Sequence, residues 1–528
     1  LQVFSRRGAI LAGAVGILGG ILLPLGPAID RRRTLVVAAP ADPVSIDPGH
    51  NTAELVGSEI ILNLFDTLVA WSGPGFDLLE GRLAQSWSAA PDARSYSFVL
   101  RRGVRFHDGA PLDAEAVKFS LERAYALNPY IRASFEAIQD ITVQGPYALT
   151  IQLARPIPFF LSLLAQPQAA IVSPGAVRRL GERFGEAPVG SGAFRFLRRE
   201  PDVSLTLQAN HDYFRGPPQL DHLVYSIVAD VSTRRFQLER GDIDICQQAG
   251  QLASLPMEDL KAFRVNPAIQ VIETPSQIMR QLEFNNLRTD SPVHDLRVRR
   301  ALAYAVDYHG LIQDVLGGSV DRAYGPLPTS NWAFDPQLAR TALPYDPDRA
   351  RAILRAAGYA PGALSFDIYT FPGDFWAIVA TFLQANFAAV GVEARIRQVE
   401  FPSLRALHLA GQFDVALDGR APWYNDPDAH ITIGYLSSLA RTAMTFRMPA
   451  DAALDAQILQ AQSTTDPLQR RQLYVQLQAA LMARVPAIYL FTNKVIIFAR
   501  SDVRGLKVGG APPLTEYWGV YRAGARPA

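Results

Sequence analysis

Eight histidines, one cysteine and one glycine-flanked serine are the residues of this 528-residue chain best suited to metal binding or catalysis. The histidines are His50, His107, His211, His222, His294, His309, His408 and His430, and no two have the spacing of a short metal-binding pair. Cys246 stands alone, which excludes an internal disulfide framework and any multi-cysteine metal or iron–sulfur site. Gly190-Ser191-Gly192 lacks the spacing of a nucleophile elbow, and there is no phosphate-binding loop or dinucleotide fingerprint. His107-Asp108 resembles an acid/base pair, but it sits between Gly103 and Gly109, where an aspartate shapes a turn. A triad gathered from distant residues is open to any fold. No local motif points to one, so no catalytic residue, metal ligand or cofactor is expected.

The elements that must position any site alternate between strand and helix. Thr34–Ala39, Tyr96–Arg101 and Tyr147–Leu153 are β-rich, and the last two alternate with period two. Asp113 is placed to cap a helix whose face is Val117, Leu121 and Ala124. Asp346 and Pro347 open another that Gly358 closes. Helices are expected over Leu296–Leu316 and Trp376–Val390, and a strand over Val392–Arg397. No fixed-period repeat or long linker appears, so the fold class is α/β with more than one lobe, the lobes sharing strands. Lys and Arg number 51 against 50 Asp and Glu, so the chain lacks the basic footprint of a nucleic-acid binder. Only Lys118, Lys261, Lys494 and Lys507 are lysines; the arginine excess reads as codon bias.

Residues 1–30 read as an export signal. Arg6-Arg7 precede a 16-residue apolar stretch, Ile10 to Leu25, too short and glycine-rich for a spanning helix. The paired arginines resemble a twin-arginine signal, and Gly26-Pro27-Ala28 offers cleavage near Ala28. No cysteine near the exit could carry a lipid anchor. The expected location is the periplasm.

Specific text begins at residue 83. Leu83-Ala84-Gln85-Ser86-Trp87, Tyr96 through Gly109 and Ala114 through Ser120 resemble the signature of extracellular solute-binding protein family 5, the peptide- and nickel-binding subunits of ABC importers. Pro188-Val189-Gly190-Ser191-Gly192, Phe284-Asn285 with Val298 through Asp307, and Asp346-Pro347 through Tyr359 are similar to later blocks of the same family. The resemblance implies a two-lobed periplasmic-binding-protein fold, type II-like and enlarged by a scaffold domain, with the ligand cleft between lobes. Lobe one would be residues 31–272 plus 488–528, with the scaffold insertion at about 71–187; lobe two would be 276–487. The chain would cross near Glu273-Thr274-Pro275 and near Pro486-Ala487-Ile488, and two crossings make a hinge.

The resemblance also implies that Leu417 through Asp428 forms a cleft-lining loop. Its candidate ligand contacts are Arg420, Trp423, Tyr424, Asn425 and Asp426, with Asn51, Thr52 and Trp376 as weaker candidates. Peptide binders of the family commonly hold the α-ammonium with an Asp whose matching position here is Trp423. Either Asp426 or Asp418 takes that role, or the ligand is no ordinary free-amino peptide. Trp423 could stack on a ring, a sugar face or a cation, and Arg420 could meet a carboxylate. The expected function is therefore a monomeric carrier of a peptide or similar small polar solute, delivered to permease subunits in the inner membrane. A metal chelate or amino-acid–sugar conjugate is the alternative ligand; a secreted hydrolase or a chaperone-like protein is the alternative class.

Overall fold

A computed structural model describes residues 30–52, 54–72, 78–248, 257–439, 448–510 and 514–524. The export-signal residues Leu1 to Ile29 lie outside the described residues. Among the described residues no helix is long and apolar enough to cross a membrane.

The chain enters on β1 (Thr34–Ala39) and then builds the insertion. There β2 (Ala84–Ala89), β3 (Ser95–Leu100), β4 (Ile138–Gly145) and β5 (Ala148–Leu153) form a four-stranded sheet in the order β2-β3-β5-β4. Helix α1 (Ala114–Leu127) packs on it; Asp113 Oδ1 accepts from the Ala116 N–H, and Val117, Leu121 and Ala124 face inward. The core of this unit runs from Leu68 to Ile171 and is joined by Tyr424 and Ala429, whereas Val172, Ala176 and Phe184 pack with Leu35, Leu223 and Tyr517 in the lobe-one core.

Lobe one continues with β6 (Phe194–Glu200), β7 (Ser204–Ala209), β8 (His222–Ile227) and β9 (Ile245–Gln248). Then β10 (Ile269–Phe284) leads into lobe two, which adds β11 (Val320–Arg322), β12 (Leu364–Thr370), helix α2 (Asp374–Ala389), β13 (Val392–Gln398), helix α3 (Phe401–Ala410), β14 (Val415–Arg420) and helices α4 (Asp428–Tyr435) and α5 (Pro467–Arg484). Strand β15 (Ala487–Arg500) returns. These strands, β2 to β5 apart, make one 11-stranded sheet in the order β13-β12-β14-β10-β15-β9-β1-β8-β7-β6, with β11 beside β15.

The sheet is shared because β10 and β15 are long enough to serve both lobes. Leu282, Phe284, Ile488, Leu490 and Phe491 lie in the lobe-two core, and Val495, Ile497 and Ala499 in that of lobe one. Between them the ladder slips: Pro275 faces Lys494, but the next pair is Met279 with Thr492. Pro275 has no N–H to donate, and Ser276 Oγ donates to the Asn493 carbonyl at 2.6 Å in place of a backbone bond. Residues 279–283 of β10 pair with Ala487 to Thr492 of β15, so the stretch near Pro486-Ala487-Ile488 lies within paired strand.

Two local expectations also change. The helix from Leu296 stops at Ala305, because Asp307 Oδ1 caps a separate π-helical turn, Gly310–Val315, at the Gly310 N–H. Helix α2 starts at Asp374 rather than Trp376.

His107-Asp108 is a clamp. His107 Nδ1 accepts from the Gly190 N–H, Nε2 faces the Gly192 carbonyl at 3.0 Å, and Asp108 accepts from Ser173 Oγ and the Ala110 N–H. Gly190 and Gly192 are required there: a Cβ would come within 2.2 Å of the Leu64 carbonyl oxygen at the first and 2.5 Å of its carbon at the second. Burial pushes the His107 pKa down to about 4. Unfolded histidine titrates near 6.5, so between those values the unfolded state binds more protons and acid removes the clamp's contribution. The stability advantage of wild type over His107→Gln is expected to be full above pH 6.5. It should shrink towards pH 4 by up to about 1.4 kcal/mol per pH unit. Guanidinium titrations at pH 7.5 and 4.5 check this; a constant difference would assign the clamp to shape alone.

Candidate ligand-binding site

Strands β12, β13 and β14 are parallel, and successive crossovers put β13 on one side of β12 and β14 on the other. Such a reversal leaves a crevice outside the carboxyl ends of the strands. The segments that leave those ends carry most of the expected site: Phe371-Pro372-Gly373 into α2, and Ala421 through Pro427 into α4.

The second segment is held from beneath by side chains distant in sequence. Asp426 is buried and accepts a bidentate pair from Arg470 on α5, Nη1 to Oδ2 at 2.8 Å and Nη2 to Oδ1 at 2.6 Å. The Arg470 guanidinium also lies 5.2 Å from the Phe159 and Tyr474 ring centres and 5.5 Å from that of Trp332. Asp428 accepts from Tyr424 Oη at 2.9 Å and Gln462 Nε2 at 3.1 Å. Tyr424 is buried, with its ring stacked on Phe159 of the insertion at 5.8 Å and 7°. Together with Arg155 Nη1 donating to Gln462 Oε1 at 3.0 Å, this joins the scaffold to lobe two. Gln277 on β10 donates to Asn425 Oδ1 and accepts from Asn331.

Below the loop lies a buried charged cluster. Glu283 on β10 accepts from Gln281 at 2.9 Å, with His408 Nε2 at 3.4 Å and Arg420 Nη2 at 3.9 Å. Burial works against the Glu283 charge, but His408 and Arg420 hold its pKa below the ordinary carboxylate value. His408 is raised correspondingly: burial opposes its charge, and the Glu283 hydrogen bond outweighs that. Burial and the Glu283 charge push Asp418 up to about 6. Glu283, His408 and Asp418 offer ligand atoms within 4.8 Å of one another, the geometry of a metal triad. The charges of Arg420 and Arg280 already act on these carboxylates, so a divalent ion would meet two cations. The chemistry of the set is that of an ion-pair network.

The structure brings Arg420, Trp423, Tyr424, Asn425 and Asp426 onto one loop. Arg420, Trp423 and Asn425 are half-buried, while Tyr424 and Asp426 face inward. Trp376 lies in the lobe-two core, edge-on to Phe371 and Phe375, with the Arg280 guanidinium 5.0 Å from its ring. Asn51 is in lobe one and fully buried; its amide binds Ser58 Oγ, Gln168 Nε2 and the Ser45 carbonyl, so it supports the wall of lobe one. Thr52 beside it is exposed.

Sequence reasoning missed Gln277, Arg280, Glu283 and Arg470. A signal existed for the first three: 276–284 places polar side chains among strongly apolar ones, which few buried strands do. Arg470 left none.

The sequence model described as bacterial extracellular solute-binding proteins, family 5 Middle, matches residues 79–438. Di/tripeptide-binding protein 2 of Pseudomonas aeruginosa is 29% identical, over 90% of this chain and 92% of its own. The probable D,D-dipeptide-binding periplasmic protein of Escherichia coli is 26% identical, over 91% and 93%. Among solved structures, NikA from Brucella suis in complex with Fe(III)-EDTA superposes with a TM-score of 0.83 at 22% identity, over 93% of this chain and 99% of its own. The shared fold, the four sequence blocks in order and the match across most of the chain lead to one assignment: this protein belongs to the bacterial extracellular solute-binding proteins of family 5.

Proposed function

We propose that the protein is the periplasmic binding subunit of an ABC importer. It takes a small polar solute of peptide-like size between its lobes and hands it, as a diffusing monomer, to permease subunits in the inner membrane. The observation that carries this is the loop from Arg420 to Asp428. It stands at the carboxyl end of a parallel strand with Trp423, Arg420 and Asn425 half-buried, and its inward residues are locked to α5 and to the scaffold. The relatives are named as binders of D,D-dipeptides and of di- and tripeptides, which points to the same ligand size. The slip between Pro275 and Met279 opposite Thr492–Lys494 supplies the hinge, because backbone there can rotate without breaking a regular ladder.

One feature favours a particular kind of solute. Asp426 is engaged by Arg470, and Asp418 is buried beside Glu283, so neither takes the place of an ammonium-binding Asp at Trp423. A solute whose amine is blocked or absent, such as an N-acylated peptide, an amino-acid–sugar conjugate or a chelate, fits this chemistry better than a free-amino peptide. Mass spectrometry of cargo released from the purified mature protein decides the class. Ligand-induced closure without turnover is the expected behaviour; steady release of product from a screened substrate would replace binding by hydrolysis.

A further inference from the structure

Five arginines are buried among the described residues, and four of them use their N–H groups fully enough to explain their burial. Arg82 forms a fork with Glu516, and Arg470 with Asp426. Arg234 donates to the carbonyls of Val228 and Ala229, and Arg299 to those of Val293, His294, Arg484 and Val485.

Arg280 is the exception. It is 1% exposed, yet Nε and Nη2 have no hydrogen-bond partner among the described residues. Those two atoms form one edge of the guanidinium, the edge that binds a carboxylate through two parallel hydrogen bonds. The one carboxylate acting on it among the described residues is Asp418, through space and without a hydrogen bond. Burial lowers the Arg280 pKa to about 10, which leaves it charged at neutral pH. A cation–π contact with Trp376 is a weak return for burying a charge with an open edge.

Its position says what the edge is for. Arg280 pairs with Gly419 in the sheet, and a Cβ on Gly419 would come within 2.1 Å of Arg280 Nη1. The guanidinium therefore lies across β14 at the one residue without a side chain and reaches Trp376 in the first turn of α2. That puts it beside β14, two residues before the segment that begins at Ala421, and against the first turn of α2, which the other segment enters. Helix α2 itself begins at Gly373 with φ 112° and no side-chain cap, so its first N–H groups are left for another acceptor; Asp374 in that turn is exposed.

We infer that Arg280 is the anion-recognition residue of the cleft, donating Nε–H and Nη2–H to a carboxylate of the bound solute. This rests on the solute-binding reading above, and the test separates the two. The probes are an N-acetylated dipeptide with a free carboxylate and its carboxamide, measured by calorimetry. Wild type is expected to prefer the free acid at least tenfold, and Arg280→Met to bind both within about twofold. Arg280→Lys keeps the charge without the fork; it should fall between them, and it is the variant to measure if Arg280→Met does not fold. Persistence of the full preference in a folded Arg280 variant overturns the inference.

If neither probe binds wild type, the peptide-like ligand is wrong, and Arg280 is judged on protein stripped of cargo by unfolding and refolding. Acetate should then raise the Tm of wild type but not of the Arg280 variant. The variant alone should unfold at the wild-type Tm or above. A fall of more than about 5 °C in both Arg280→Met and Arg280→Lys would make Arg280 a structural cation and overturn the inference.

Discussion

Arg470→Met is expected to destabilise the protein by about 3–5 kcal/mol, since it leaves the Asp426 carboxylate buried with no cation. The Arg470 and Asp426 side chains are each 6% exposed, and both guanidinium nitrogens of the fork are within 2.8 Å of the carboxylate. Among the described residues the other bond to the Asp426 carboxylate comes from the Asp428 backbone N–H at 3.0 Å. Three rings around the guanidinium, from Phe159, Trp332 and Tyr474, exclude the water that would otherwise solvate the orphaned charge. Removing both partners should cost far less. Arg470→Met with Asp426→Asn replaces an ion pair by groups that need little solvation, and recovery of at least half the loss is expected. Denaturant unfolding of the two single variants and the double completes the cycle. A single-variant loss below about 1 kcal/mol would reduce the pair to the worth of a surface bridge. The variants should also bind solute more weakly, because Asp426 fixes the course of the loop carrying Trp423.

The same pair marks where sequence stops being informative. Asp426 looks like a ligand contact because it is an acidic residue in a loop with two aromatics and a proline on either side of the group. Its partner is 44 positions away, on a helix surface indistinguishable from a solvated one. Periodicity could locate β5, since its alternation is a local property, and the Asp113 cap, since three residues define it. It could not locate β10. From Ser276 onward that strand is buried on both faces, and its polar residues Gln277, Arg280, Gln281 and Glu283 find partners, or fail to, only through tertiary contacts. A similar limit applies along β15: Ile488 to Phe498 is one apolar run except at Thr492–Lys494, yet Leu490 and Phe491 before that interruption and Val495 and Ile497 after it pack in different cores. The blocks at 83–120, 188–192 and 298–307 were legible because they resemble a family, and the structure gives part of the reason in the close approaches at Gly190 and Gly192.

Trp423→Ala is expected to weaken solute binding at least tenfold, about 1.4 kcal/mol, with little effect on stability. The indole is half-buried, and the loop around it is held by other residues, Asp426 through Arg470, Asp428 through Gln462, and Tyr424 through Phe159. Truncating it therefore removes a surface rather than a support. A solute that covers about 60 Å² of the ring gains about 1.5 kcal/mol at about 25 cal/mol/Å², and a flat or cationic group adds to that. Trp423→Phe keeps most of the area and should lose less than threefold, which separates stacking from a hydrogen bond by the indole N–H. Trp423→Asp goes further. It places a carboxylate at the position where the family's peptide binders are expected to hold an α-ammonium, with Arg420 at the near end of the loop. If Trp423 is what turns this cleft away from free-amino peptides, Trp423→Asp should gain affinity for an unmodified dipeptide while losing the native solute. Calorimetry of the three variants against cargo and dipeptide reads both changes. Unaltered affinity for both ligands in folded Trp423→Ala would take this residue out of the site and leave Arg420 and Asn425 as the loop's contacts.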